Sequence, residues 1–422
     1  MLPLAAMMVL ASCSEMIYKS FLQEAVLQHA SEGKEDNPCS QLMNYAPDQR
    51  FTPMRQLRVN IHFMNNAAGT INFSESEGVD FAKNFLNDAN HRLQNNQPMS
   101  LPEGNYTPVL PIKYQYALTP DPAIPGDDGI YFHYDDEFAC FNKKGAAKNT
   151  FDTRMFEKYK VQAGSVLNIF LLEHCPDSIR SPTYKSSLDG VGMSTWVKVA
   201  GLKQHNYDTI YNTDGTFTVH GPHYNSNLLN HEVGHTLGLS HTWNTNDGCD
   251  DTPQNPGCWD QFSEPCRESG IYSNNMMDYN NCQCALTPCQ LAKIHYNFSR
   301  ENTPQRKMLA PGWCAYQPEK SITIGRTEQV AWRSSMDLEG DIIINHGGEL
   351  SVYCDVSLPK GAKIIVKPKG KLILHGAYLT NKCGDEWEGI EVWRSKKNEG
   401  EVIFLNNPRL DNVSNPVKIY PR

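Results

Sequence analysis

Three rhythms of hydrophobic and polar positions follow one another along this chain, and each predicts a different kind of element. From Leu57 the residues alternate, Leu57-Arg58-Val59-Asn60-Ile61-His62-Phe63, with the period of a half-buried β-strand. Ser74 and Glu77 then form a capping box. Behind it Ala82, Phe85, Leu86, Ala89 and Leu93 recur at helical spacing, which predicts a helix to about Asn95. Further strands are expected at 112–118, 129–134, 166–172 and, as one run, 191–200. A strand, a long helix and more strands predict a twisted mixed sheet backed by helices. The third rhythm lies near the C-terminus. Residues 342–352 (IIINHGGELSV) and 364–374 (IIVKPKGKLIL) match at an offset of about 22, with Gly348 over Gly370 and Leu350 over Leu372. Val356 and Leu358 fall where Tyr378 and Thr380 recur, Gly389-Ile390-Glu391-Val392 reads as a further rung, and a polar tail leads to Arg422. Short β runs at a short period, punctuated by turn glycines, predict an all-β, solenoid-like repeat.

This patterning divides the chain into 1–13, a signal segment; 14–52, a linker or pro-segment; 53–317, an α/β unit; and 318–422, the β-repeat. The apolar run from Leu2 to Leu10 is too short to span a bilayer, and no other stretch is long and apolar enough. It leads into Leu10-Ala11-Ser12-Cys13, which resembles a bacterial lipobox, whose cysteine is lipidated and becomes the new N-terminus. The expectation is an exported protein, tethered through Cys13 to the outer membrane or cell surface. No Lys or Arg precedes the apolar run, so a plain secretory signal or a misplaced start stays open. Thirteen cysteines agree with an oxidising compartment; without Cys13, twelve can pair completely. Six of these crowd together as Cys249, Cys258, Cys266, Cys282, Cys284 and Cys289, with no paired CxxC of a zinc ribbon. A net charge of −9 without a basic cluster argues against nucleic acid as a partner.

The chemistry concentrates in His231-Glu232-Val233-Gly234-His235-Thr236-Leu237-Gly238-Leu239-Ser240-His241. Residues four apart share one helix face, so His231 and His235 can direct imidazoles at one ion. Leu228, Leu229, Val233 and Leu237 would bury the remaining surface of that helix. Gly238 lets the chain leave the helix and return His241 as a third ligand. Three protein ligands leave one position open for water, the arrangement of a catalytic zinc site rather than a structural one. Glu232 neighbours the first ligand and can reach that water without being a ligand itself.

This extended motif resembles that of the metzincin zinc endopeptidases, whose second hallmark, a methionine turn, is supplied by Asn275-Met276-Met277-Asp278-Tyr279. Together with Asp251-Thr252-Pro253 and residues 282–290 (CQCALTPCQ), it looks like the pappalysin or cytophagalysin branch, over about Leu57 to Phe298. The resemblance implies a metzincin α/β catalytic domain with one catalytic zinc, Glu232 as general base, Met277 as the turn methionine and Tyr279 near the metal. It implies a protein or peptide substrate, and a monomer is expected. In the family an edge strand of the sheet pairs with extended substrate, a role that 191–200 or a neighbouring segment would fill. Cys249, Cys258, Cys266 and Cys282 match cysteines that form two disulfides in this branch. Cys284 and Cys289 are departures that could join each other or Cys314. The family's structural calcium sites fall in the same loops, where Asp247, Asp250, Asp251 and Asp260 are candidates for Ca2+, solvated loop carboxylates being the other reading. Cys39 could hold the zinc in a latent zymogen or sit in a disulfide. His62, His133, His205, His220 and His223 lack ligand spacing and are read as structural or exposed. The competing classes are a silent surface adhesin working through its β-repeat and a zinc hydrolase acting on something other than peptides.

Overall fold

The computed structural model describes residues 37–100, 107–184, 187–205, 209–211, 217–219, 225–242, 247–253, 258–261 and 266–420. The apolar N-terminal run, Cys13, the first part of the expected linker, His220, His223 and the end of the polar tail lie outside them. Among the described residues no helix is long and apolar enough to cross a membrane.

The alternating run becomes β1 (Arg55–Asn65), and the capped helix becomes α1 (Glu75–Gln94), where the Glu77 carboxylate accepts from the Ser74 backbone N–H. Next come β2 (Tyr114–Leu118), β3 (Ile130–Tyr134), β4 (Cys140–Phe141), α2 (Arg154–Tyr159), β5 (Leu167–His174) and α3 (Pro176–Ile179). The expected single strand over 191–200 is instead a hairpin of β6 (Asp189–Met193) and β7 (Trp196–Ala200). Met193 pairs with Trp196, so Ser194 and Thr195 alone make the turn, Ser194 at φ 42°. A two-residue turn inside an apolar run leaves no mark on a hydrophobicity pattern. The sheet runs β2-β1-β5-β7-β6, with β3 also on β1 and β4 on β5; every pair is parallel except β6 with β7. β8 (Thr209–Tyr211) and β9 (Phe217–Val219) form a small hairpin before α4 (Ser226–Thr236), followed by α5 (Cys266–Ser269), α6 (Pro288–Ser299) and α7 (Pro304–Lys307).

Alternation in β1 sorts its side chains. Leu57, Val59, Ile61 and Phe63 join the core made with α1, α4 and α6, while Met64 faces a second core with Phe138, Met155, Phe156 and Trp196. The helix carrying the histidines is thereby sandwiched beneath the sheet, and each of its residues is buried.

From Ile322 onward short parallel strands stack in three sheets, the solenoid expected from the repeat. Ile342 pairs with Ile364, Leu350 with Leu372 and Ile364 with Ile390, as the aligned repeat requires. On the third face the register is Val356 to Leu379, one residue beyond Tyr378, because the longer turn at Gly376-Ala377 takes up an extra residue. An unforeseen rung opens the stack, with Ile322 on Ile342 and Gln329 on Glu349. The two units are bound by buried charge: Arg306 Nη1 lies 2.5 Å from Asp337 Oδ2, and Arg55 Nη2 donates to the Asp337 carbonyl at 2.9 Å. Trp313 packs beneath both guanidinium groups.

Six disulfides pair all twelve described cysteines: Cys39–Cys354, Cys140–Cys175, Cys249–Cys289, Cys258–Cys266, Cys282–Cys284 and Cys314–Cys383. This corrects the reading by resemblance, for Cys289 closes on Cys249, Cys282 on Cys284, and Cys314 reaches the solenoid. Cys289 stands in the first turn of α6, which Asp251 draws to the 247–252 loop by accepting from the Cys289 N–H and Thr287 Oγ1. A Cys39 thiolate on zinc is overturned, since its sulfur is bonded to Cys354. The described part of the expected linker lies folded against both units. Tyr45 meets Tyr296 edge-on, and Phe51 packs on Trp332.

Candidate active site

The end of α4 builds the site. Leu237 caps the helix, and Gly238 follows at φ 103°, a backbone angle that a side chain disfavours. The Gly238 N–H donates to the His235 carbonyl and the Leu239 N–H to the Gly234 carbonyl, the paired bonds of a Schellman turn. The reversal leaves the Leu239 carbonyl 2.9 Å from His235 Nδ1 and carries His241 back over the helix.

Three Nε2 atoms then converge. His231 and His235 are 3.2 Å apart, His231 and His241 3.2 Å, and His235 and His241 3.1 Å. His231 Nδ1 donates to the Met276 carbonyl at 2.7 Å and His235 Nδ1 to Leu239, so both rings turn a bare lone pair inward. Burial, reinforced by the His235 ring, pushes His231 down to about 3; burial pushes His235 to about 4 and His241 well below its ordinary value. Neutral, lone-pair-bearing imidazoles crowded this closely repel one another unless a cation lies between them. Tetrahedral zinc with nitrogen ligands at about 2.0–2.1 Å sets those nitrogens roughly 3.3 Å apart, close to what is seen. The residues present fit the metal.

Beneath the triad lies the turn at 275–279. A Cβ on Gly234 would meet Met277 Sδ at 2.5 Å, so the thioether packs directly on the helix backbone between His231 and His235. Asn275 Oδ1 accepts from the Met277 N–H, and Asn275 and Gln290 exchange side-chain amide bonds that tie the turn to α6. Asp278 is fully buried, accepts from Ser273 Oγ and Thr242 Oγ1, and is pushed up to about 8 by desolvation. The Tyr279 ring lies 5.2 Å from His241 and 6.4 Å from His231, centroid to centroid.

Glu232 is 2% exposed, with its Oε1 lacking a hydrogen-bond partner among the described residues. Desolvation raises it to about 8, the Gly192 backbone hydrogen bond opposing and Asp189 adding to the rise. A divalent cation beside it acts in the opposite direction. Strand β6 closes over this carboxylate. A Cβ on Gly190 would lie 2.5 Å from Glu232 Cγ and closer still to Oε1. One on Gly192 would strike the Glu232 carbonyl oxygen, with its carbonyl carbon at 2.9 Å and His235 Cβ at 3.2 Å. These two glycines escaped the sequence reading; their i, i+2 spacing at the start of the last predicted strand before the motif was the available signal.

Asp247 and Asp251 lie near enough to repel each other, but among the described residues no three of the loop carboxylates come together as metal ligands. Asp247 accepts from Thr252 Oγ1 and the Cys249 N–H, Asp251 caps α6, and Asp250 is exposed. The one other cluster with metal-ligand atoms among the described residues, Cys249, Asp251 and Cys289, has both its sulfurs in a disulfide. His62 and His133 pair with each other at 2.8 Å, far from ligand duty.

Residues 185–298 match the peptidase M43 family model, described as pregnancy-associated plasma protein-A. No curated protein matches the chain. Among solved structures it is similar to mirolysin in complex with compound 9, at TM-score 0.39 and 17% identity over 61% of this chain and 96% of that one. It is also similar to Tannerella forsythia mature mirolysin in complex with a cleaved peptide, at TM-score 0.37 and 16% identity over 62% and 96%. The matched span holds the three histidines, Glu232 and the turn at Met277, so residues 185–298 carry the pattern of the M43, or pappalysin, family of zinc metallopeptidases.

Proposed function

We propose that the chain is an exported zinc endopeptidase in which His231, His235 and His241 hold the metal and Glu232 moves the proton. The convergence of three Nε2 lone pairs above a buried, half-unpartnered glutamate is the observation that carries this reading. Zinc, when bound, acidifies a coordinated water and polarises a carbonyl oxygen. Glu232 accepts the proton of the attacking water and delivers it to the leaving amine, its unpartnered oxygen serving as the acceptor. Tyr279, beside His241, donates a hydrogen bond to the tetrahedral oxyanion, a contribution of a few kcal/mol. Met277 supports the ligand helix from below through its contact at Gly234. Among the described residues β6 pairs with a strand, β7, on one side only, and its other backbone edge, where Gly192 meets Glu232, is the one that would fix an extended peptide by main-chain bonds.

Residues 53–317 would form the catalytic unit and 318–422 the appended β-repeat. Six disulfides support an oxidising, extracytoplasmic location, and the apolar run ending at Cys13 supports export with a lipid anchor. Glu232→Gln is the deciding variant. It should keep one zinc per chain while casein cleavage falls to background, and cleavage at the wild-type rate would end the glutamate mechanism.

A further inference from the structure

The strand that crosses Glu232 is poorly held by its own side chains. β6 carries glycine at two of five positions, both on the helix side, and glycine weakens a strand interior. Val191, between them, faces the opposite core. Because side chains alternate, a slip of one residue would turn Val191 toward Glu232, where not even a methyl group fits. The two-residue turn at Ser194-Thr195 fixes the register from the far end of the strand, and the leading end needs an anchor of its own.

Buried charge gathers just ahead of the strand. Lys143, two residues past β4, donates to Asp189 Oδ2 at 2.8 Å and Ser187 Oγ at 2.5 Å, and its ammonium lies 5.7 Å from the Tyr184 ring centroid. His174, the last residue of β5, donates from Nε2 to the Ser187 carbonyl at 2.7 Å and accepts from the Tyr184 hydroxyl at Nδ1, also at 2.7 Å. Its Nε2 stands 3.3 Å from Asp189 Oδ2. The side chains are 16% exposed for Lys143, 6% for Asp189 and 0% for His174, so this is an enclosed cluster and not a surface tether. Such burial costs desolvation that only well-fixed geometry offsets. The Cys140–Cys175 disulfide lashes the two anchoring segments together, three residues before Lys143 and one after His174.

We propose that Lys143 and His174 are positioning residues that clamp the lead-in at Tyr184, Ser187 and Asp189. They thereby hold the leading end of β6 down, so that Gly190 and Gly192 stay over Glu232 and the free edge of the strand stays aligned for a peptide. The part concerning substrate rests on the peptidase reading. Neither residue touches the reacting atoms, and Lys143 lies outside the span matched by the family model.

The test compares K143M and K143R in the full chain, reading kcat and KM on a fluorogenic peptide, zinc per chain, and hydrogen exchange of 187–193 against β1 and β5. K143M should keep its zinc, exchange 187–193 about tenfold faster with β1 and β5 unaltered, and lose about ten- to a hundredfold in kcat/KM, the scale of an ångström-sized misplacement. K143R should recover most of both. Unaltered exchange at 187–193 overturns the clamp, and so does faster exchange spread evenly over β1 and β5. If the wild type cleaves no peptide, the peptidase reading fails, while the exchange comparison still decides the clamp.

Discussion

Substituting Gly190 and Gly192 by alanine, one at a time, should separate catalysis from folding at neighbouring positions. The added Cβ at 190 falls 2.5 Å from Glu232 Cγ, whereas carbon atoms settle at about 3.5–4.0 Å. The obstacle is a side chain, so the carboxylate can retreat by about 1 Å while strand and helix stay in place. A displacement of that size costs about a hundredfold in rate, or about 2.7 kcal/mol of transition-state stabilisation. The packing penalty should stay near 1 kcal/mol, roughly 2–4 °C in Tm. At 192 the obstacle is the backbone carbonyl of Glu232, which cannot move without parting strand from helix. Gly192→Ala should therefore lose about 3 kcal/mol or more and express poorly. The assay is kcat/KM on a quenched peptide together with zinc content and Tm for each variant. Wild-type turnover by Gly190→Ala, or equal stability of the two variants, would show that β6 does not lie over the glutamate as described.

Two further outcomes test the frame around the site. His62 and His133 share one hydrogen bond in a buried layer, and burial holds His133 down at about 4 and His62 well below its ordinary value. Unfolded imidazoles take protons from about pH 6.5 while the folded ones do not, so unfolding free energy falls as pH drops from about 6.5 to 4, by about 3 kcal/mol for His133. His133→Gln should flatten that slope in urea titrations at pH 7 and pH 4.5, and an unaltered slope would count against it. Asp337→Ala leaves Arg306 and Arg55 without their buried carboxylate and should cost about 3–5 kcal/mol, measured by denaturant unfolding. A loss under about 1 kcal/mol would place that pair in the weak, solvated class.

The convergence of the three histidines was readable because helical periodicity and one glycine determine where their rings point, and these are local rules. The solenoid register at Leu350 and Leu372 was readable for a similar reason: stacked coils repeat their own pattern. What escaped depends on residues distant in the chain. Cys289 finds Cys249 only because Asp251 docks a helix start onto a loop. The hairpin at Ser194-Thr195 hid inside an apolar run because both its strands are buried. Lys143, Asp189 and His174 carry no shared spacing at all, since they meet only when β4, β5 and the lead-in to β6 are brought together.

The bond between Cys39 and Cys354 spans 315 positions, so everything from Cys39 through the three clustered histidines to the early coils belongs to one covalent ring. A peptidase lives in the presence of its own activity, and exposed loops are where a stray cut would fall. In this molecule a nick anywhere inside the ring leaves both fragments attached. It would show as two bands only after a reductant is added, and mass on a non-reducing gel would not reveal it.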